Sequence, residues 1–124
     1  MKFCHVTLTV NDMGASLRFY QDIVGLTVIN RFNAGPTTEI AFLGSGEKGE
    51  TQVELICDTA NQPDTTDGVG LISLGFVSPS LNDTIQQLRD KGYETDGKII
   101  SPAPDVCFFF ALDPDGFVIQ FMKG

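Results

Sequence analysis

What the chain has little of narrows it first. Its 124 residues carry eight lysines and arginines against sixteen aspartates and glutamates, a net charge of −8. Phosphate binding is driven largely by Lys and Arg, so no nucleic-acid partner is expected, and no anionic membrane surface. An acidic surface serves solubility and can attract a cationic ligand. There are three cysteines, an odd number without CxxC spacing. That usage suits a reducing compartment better than a disulfide framework. No apolar run approaches the roughly 20 residues that cross a bilayer. Met1-Lys2-Phe3 runs straight into a strand pattern and leaves no room for a signal peptide, so the expected location is cytoplasmic. Tryptophan is absent, and histidine occurs once, at His5.

What is present is ordinary for a globular chain: 42% hydrophobic residues, ten of them Phe. The length suits one domain, or two small modules sharing a core. Phe3 to Val10 alternates, with His5, Thr7 and Thr9 on one side and Cys4, Val6, Leu8 and Val10 on the other. Asn11-Asp12 is a turn and N-cap. Met13, Leu17, Tyr20 and Val24 recur at helical spacing, and Gly25 stops the helix. Leu26 to Phe32, Thr38 to Leu43 and Thr51 to Cys57 read as strands. In the last, Gln52, Glu54 and Ile56 face one way and Val53, Leu55 and Cys57 the other. The glycine-rich stretch 44–49 lacks the lysine–hydroxyl ending of a phosphate-binding loop and reads as a hairpin connection. Cys4, Cys57 and Cys107 read as small buried hydrophobes.

Residues 58–68 are polar and linker-like. Beyond them the first half recurs. Gly70 to Val77 is an apolar strand, Ser78-Pro79-Ser80 starts a helix striped by Leu81, Ile85 and Leu88, and Gly92 stops it. Tyr93 to Ile100 holds a short strand, Ser101 to Asp105 a proline-bearing loop, and Val106 to Leu112 a further strand. A tight Asp113-Pro114-Asp115-Gly116 turn leads into Phe117 to Met122. Matching Val10 to Val77 sets His5 opposite Ile72, and matching the closing strands sets Glu54 opposite Gln120. The two offsets, 67 and 66 residues, agree to within one.

His5, the helix sequence Ser16-Leu17-Arg18-Phe19-Tyr20 with Gly25-Leu26, Glu54 within Val53-Glu54-Leu55, and the Asp113–Gly116 turn stand in an order that resembles the vicinal oxygen chelate superfamily. That superfamily includes glyoxalase I, bleomycin-resistance proteins, fosfomycin-resistance enzymes and extradiol dioxygenases. The resemblance covers essentially the whole chain. It implies an α+β fold of two tandem βαβββ modules whose sheets curl around a cleft, and a homodimer. Module one is then 1–57, the linker 58–68 and module two 69–124, in a single domain 1–124. In metal-dependent members the first and last strands of each module supply ligands. Carried onto this chain, those positions are His5, Glu54, Ile72 and Gln120.

Ile72 cannot ligate, and the Gln120 amide carries no charge. The metal candidates reduce to His5, Glu54 and Gln120. Zinc and similar ions want more, so no cofactor is expected, with a divalent Zn, Ni, Mn or Fe ion as the alternative. Resemblance to glyoxalase I makes Glu54 the catalytic candidate, as a proton-transfer base. The ligand-binding candidates are His5, Thr7, Gln52 and Glu54 on a polar wall from the first module, and Gln120 from the second. Ile72, Leu74, Phe76, Phe108, Phe110 and Met122 form an apolar one, suited to a small organic molecule. The expected function is binding such a molecule, in the manner of bleomycin-resistance proteins. A metal-dependent lyase or isomerase of the glyoxalase I type is the alternative, and a non-catalytic dimerising module a third reading.

Overall fold

Each half of the chain folds because its alternating strands leave one face apolar, and one helix lies within reach in sequence to cover it. The computed structural model describes residues 1–62 and 72–124. The chain divides into two compact units, Met1–Asp64 and Thr65–Gly124.

In the first unit β1 (His5–Thr9) leads into α1 (Met13–Arg18), which continues as a π-helical turn over Phe19–Ile23. Asp12 caps α1, its Oδ1 accepting from the Ala15 N–H at 3.0 Å. The π turn inserts an extra residue into the helical period. It buries Phe19 and Ile23 beside Met13, Leu17 and Tyr20, and Val24 is only half-buried. Gly25, at φ +82°, ends the helix. β2 (Thr27–Asn33), β3 (Thr38–Gly44) and β4 (Gln52–Asp58) follow, in the sheet order β1-β4-β3-β2. β1 and β4 run parallel, with His5 level with Gln52 and Thr7 with Glu54. Leu8, Val10, Ala41, Leu43, Val53, Leu55 and Cys57 form the buried face.

The second unit repeats the plan as β5 (Ser73–Ser78), α2 (Leu81–Asp90), β6 (Ile100–Ala103), β7 (Val106–Leu112) and β8 (Val118–Lys123), with sheet order β5-β8-β7-β6. Ser80 caps α2, accepting from the Asp83 N–H. Leu74 is level with Ile119 and Phe76 with Phe121. Phe121 stacks on Phe109 at 5.2 Å and meets Phe76 at 6.5 Å. The Asp113–Gly116 turn is as expected: Gly116 N–H donates to the Asp113 carbonyl, and the Asp113 carboxylate accepts from Asp115 and Phe117 N–H, each at 2.9 Å.

Each unit is thus a βαβββ module, and the chain is α+β. Three local expectations are corrected. The proline-bearing loop at 101–105 is in part strand β6, and the strand expected over 93–100 is absent from residues 93–99. β6 is the sheet's edge strand, where Pro102 costs no ladder hydrogen bond. Cys4 is exposed rather than buried, because β1 begins only after it, at His5; Cys57 is buried and Cys107 half-buried. Residues 63–68 of the expected linker lie outside the described residues.

Candidate functional site

The pleat of β1 and β4 brings the first polar group together. His5, Thr7, Gln52 and Glu54 all project from the face opposite the helix, since Cα partners in a parallel pair share a side. Glu54 is the centre. Its Oε1 accepts from the Thr7 hydroxyl at 2.5 Å and faces His5 Nε2 at 3.5 Å. Its side chain is 12% exposed, that of His5 37%. His5 Nδ1 lies 3.4 Å from Cys4 Sγ, and the imidazole meets Phe42 edge-on at 5.4 Å. Phe42 is level with Glu54 on β3 and stacks toward Phe32 at 6.4 Å. Sequence reasoning missed Phe42. The alternation of β3 carries it, once the pairing with Glu54 sets which side is which.

In the second unit the matching face carries Gly75, Gln120 and Phe110 in one row, and Met122 level with Phe108 in the next. Phe108 and Phe110 pack edge-to-face at 5.5 Å. Gln120, Met122, Phe108 and Phe110 therefore share a surface. Leu74 and Phe76 do not share it: they belong to the helix-covered side with Ile119 and Phe121. Ile72 precedes β5 and is 49% exposed, and the strand's alternation gives it the parity of Leu74 rather than of Gln120.

The register of the repeat shifts accordingly. His5 is level with Gln52 in unit one, and Ser73 with Val118 in unit two. Ser73 follows His5 by 68 residues (5 to 73), the same spacing that separates the N-caps Asp12 and Ser80 (12 to 80). The counterpart of His5 is Ser73, not Ile72, and the counterpart of Val10 is Ser78, not Val77. Burial agrees: Ser78 is 5% exposed and Val77 71%. The reason is chemical. The Ser78 hydroxyl is paired with Thr84 Oγ1 at 2.7 Å, so a polar residue sits in a core position with its hydrogen bond made.

A zinc ion takes four ligands in a structural site and at least three protein ligands in a catalytic one. Unit one offers one imidazole and one carboxylate. Among the described residues no three His, Cys, Asp or Glu side chains gather. Unit two offers the Ser73 hydroxyl and the Gln120 amide at the matching rows, both neutral. The donors of either unit, taken alone, do not fit such an ion.

Residues 2–121 match the family model described as the Glyoxalase/Bleomycin resistance protein/Dioxygenase superfamily. The chain belongs to that superfamily. Among its relatives, a probable lactoylglutathione lyase of Synechocystis is 30% identical, over 99% of this chain and 95% of that protein. A lactoylglutathione lyase of Haemophilus influenzae is 29% identical, over 99% and 93%. A solved superfamily domain from Frankia superposes with a TM-score of 0.74 at 25% identity, over 97% and 94% of the two chains. The superfamily fold explains why the polar row and the aromatic row recur at corresponding places. Each comes from the first, last and preceding strand of one βαβββ module.

Proposed function

We propose that this superfamily member is a small-molecule-binding protein without a complete metal chelate. One observation carries the reading: the rows that hold His5 and Glu54 in the first unit hold Ser73 and Gln120 in the second. Two of the four positions thus lack the imidazole or carboxylate that gives a divalent ion its affinity. Glu54 is also engaged, through Thr7. Two surfaces suit an organic ligand. The His5–Thr7–Glu54 row offers hydrogen-bonding groups, and the Phe108, Phe110 and Met122 face offers apolar and aromatic area.

The test is metal content together with ligand response. Purified protein loaded with nickel or zinc is expected to retain no stoichiometric ion after gel filtration, and a thermal-shift screen of small organic molecules is expected to return stabilising hits. A stoichiometric ion lost in Glu54→Ala overturns the reading. It would favour the second one, a metal-dependent lyase, which is kept because two relatives at 30% and 29% identity are named lactoylglutathione lyases. A screen without a single stabilising molecule would favour a non-catalytic partner module instead. A homodimer and a cytoplasmic setting remain part of the proposal. Among the described residues no helix is long and apolar enough to cross a membrane.

A further inference from the structure

Unit two carries a groove of about 500 Å³ lined by Glu94, Thr95, Asp96, Phe110, Leu112 and Val118, within the usual size range of ligand pockets. Its floor is the face that bears Gln120: Phe110 is level with Gln120, and Leu112 with Val118. Its wall is the segment 94–96, which is clipped to the edge of β7. The Leu112 N–H donates to the Glu94 carbonyl at 3.0 Å, and the Thr95 hydroxyl donates to the Phe110 carbonyl at 2.7 Å. The clip turns Thr95 inward and leaves Glu94 and Asp96 exposed on either side of it. Phe110 remains 38% exposed, although it is large and apolar. No lysine or arginine lines the groove. Behind the wall, Arg89 Nη2 donates to the Asp96 carbonyl at 3.2 Å, and the Lys98 N–H donates to Asp96 Oδ1 at 2.9 Å.

We propose that this groove takes an organic cation, an ammonium or amidinium group on an aromatic or apolar body. It rests on the small-molecule reading above and names the ligand class. Two carboxylates edge an apolar floor with no counter-charge among its lining residues, in a chain of net charge −8. The open face of Phe110 adds a cation–π surface, and Leu112 and Val118 take the apolar body. A neutral ligand would leave the acidic rim unused, and an anion would be repelled by it.

The full-length chain is titrated by amide NMR with benzamidinium, and in parallel with benzamide and benzoate, which share its ring and shape. Benzamidinium is expected to shift the amides of residues 94–96 and 110–112. It should bind about fivefold or more tightly than benzamide and weaken as salt screens the rim. Glu94→Gln with Asp96→Asn should remove most of that preference. These exposed positions make no buried contact, so the variant is expected to fold, and its unchanged spectrum elsewhere serves as the control. Equal binding of benzamide and benzamidinium overturns the cation assignment but leaves the binding-protein reading standing. So does an affinity unchanged in the double variant. Absence of any shift at the groove with all three probes overturns the groove itself, while metal retention in the loading experiment would separately overturn the reading beneath it.

Discussion

At the residue scale, the informative side chains of unit one are carboxylates that accept short hydrogen bonds. Glu54 accepts from Thr7. Hydrogen bonds to charged groups contribute about 1.5–3 kcal/mol at best, and this one is partly open to water. Thr7→Val is therefore expected to lower the unfolding free energy by about 1 kcal/mol, read as a shift of the urea midpoint at constant slope. An unshifted midpoint would mean that water replaces the hydroxyl without loss. Glu50 closes the loop after β3. The Ser45 hydroxyl donates to its Oε2, and the Gly46 N–H to its Oε1. The Ser45 hydrogen bond first, then the loop N–H groups, hold its carboxyl below the usual 4.5. Asp58 is held below 3.8, by Asn61 and Thr37 foremost. Both groups bind their proton less readily folded than unfolded, so the unfolded chain takes up more protons in acid. Their stabilisation is present above those usual values and is lost as pH falls through the lowered ones. Urea midpoints should decline below about pH 4.5, and Glu50→Gln should flatten that decline. An identical pH dependence in wild type and variant would show that the loop contacts do not matter to folding.

At the scale of elements, α2 is fastened to its strand by polar groups at both ends of one turn. Ser80 caps the helix, and Thr84 bonds both the Ser80 carbonyl and the Ser78 hydroxyl. Ser80→Ala is expected to cost about 1 kcal/mol. Ser78→Ala and Thr84→Ala should each cost about 1 kcal/mol, with a coupling of similar size in a double-mutant cycle. Strictly additive losses would mean that the two hydroxyls find other partners. The Ser78–Thr84 pair also explains what the sequence hid. Strand alternation, the caps at Asp12 and Ser80 and the stops at Gly25 and Gly92 made the βαβββ order readable twice. Register was not readable to one residue. An exposed valine, Val77, stood next to a buried serine, Ser78, and apolar character pointed to the wrong one. Because a one-residue slip in a strand exchanges its faces, that single step misassigned Ile72, Leu74 and Phe76 together. The row of Gln120, Met122, Phe108 and Phe110 was readable, since β7 and β8 are joined by a turn whose chemistry leaves little choice of register.

At the scale of the whole molecule, the repeat makes the proposed loss of a metal chelate testable by restoring its groups. On the reading proposed above, the first module holds His5 and Glu54 in the rows where the second holds Ser73 and Gln120. If Ser73 and Gln120 are the vacated positions, Ser73→His with Gln120→Glu restores an imidazole and a carboxylate to the rows that match His5 and Glu54. Both substitutions fall on exposed or half-buried positions of one sheet face, so neither has to displace a core side chain. The double variant is expected to hold nickel or zinc more tightly than wild type, measured by elemental analysis after gel filtration, and to gain thermal stability on loading, since an ion bound to the folded state alone stabilises it. The comparison that separates the two registers is Ile72→His with Gln120→Glu. It supplies the same chemical groups, but with the histidine one residue earlier, at the parity of the helix-covered side, and it is expected to take up no stoichiometric ion. Uptake by the Ile72 variant and none by the Ser73 variant would reinstate Ile72 as the partner of His5. It would also move the whole second row back by one residue.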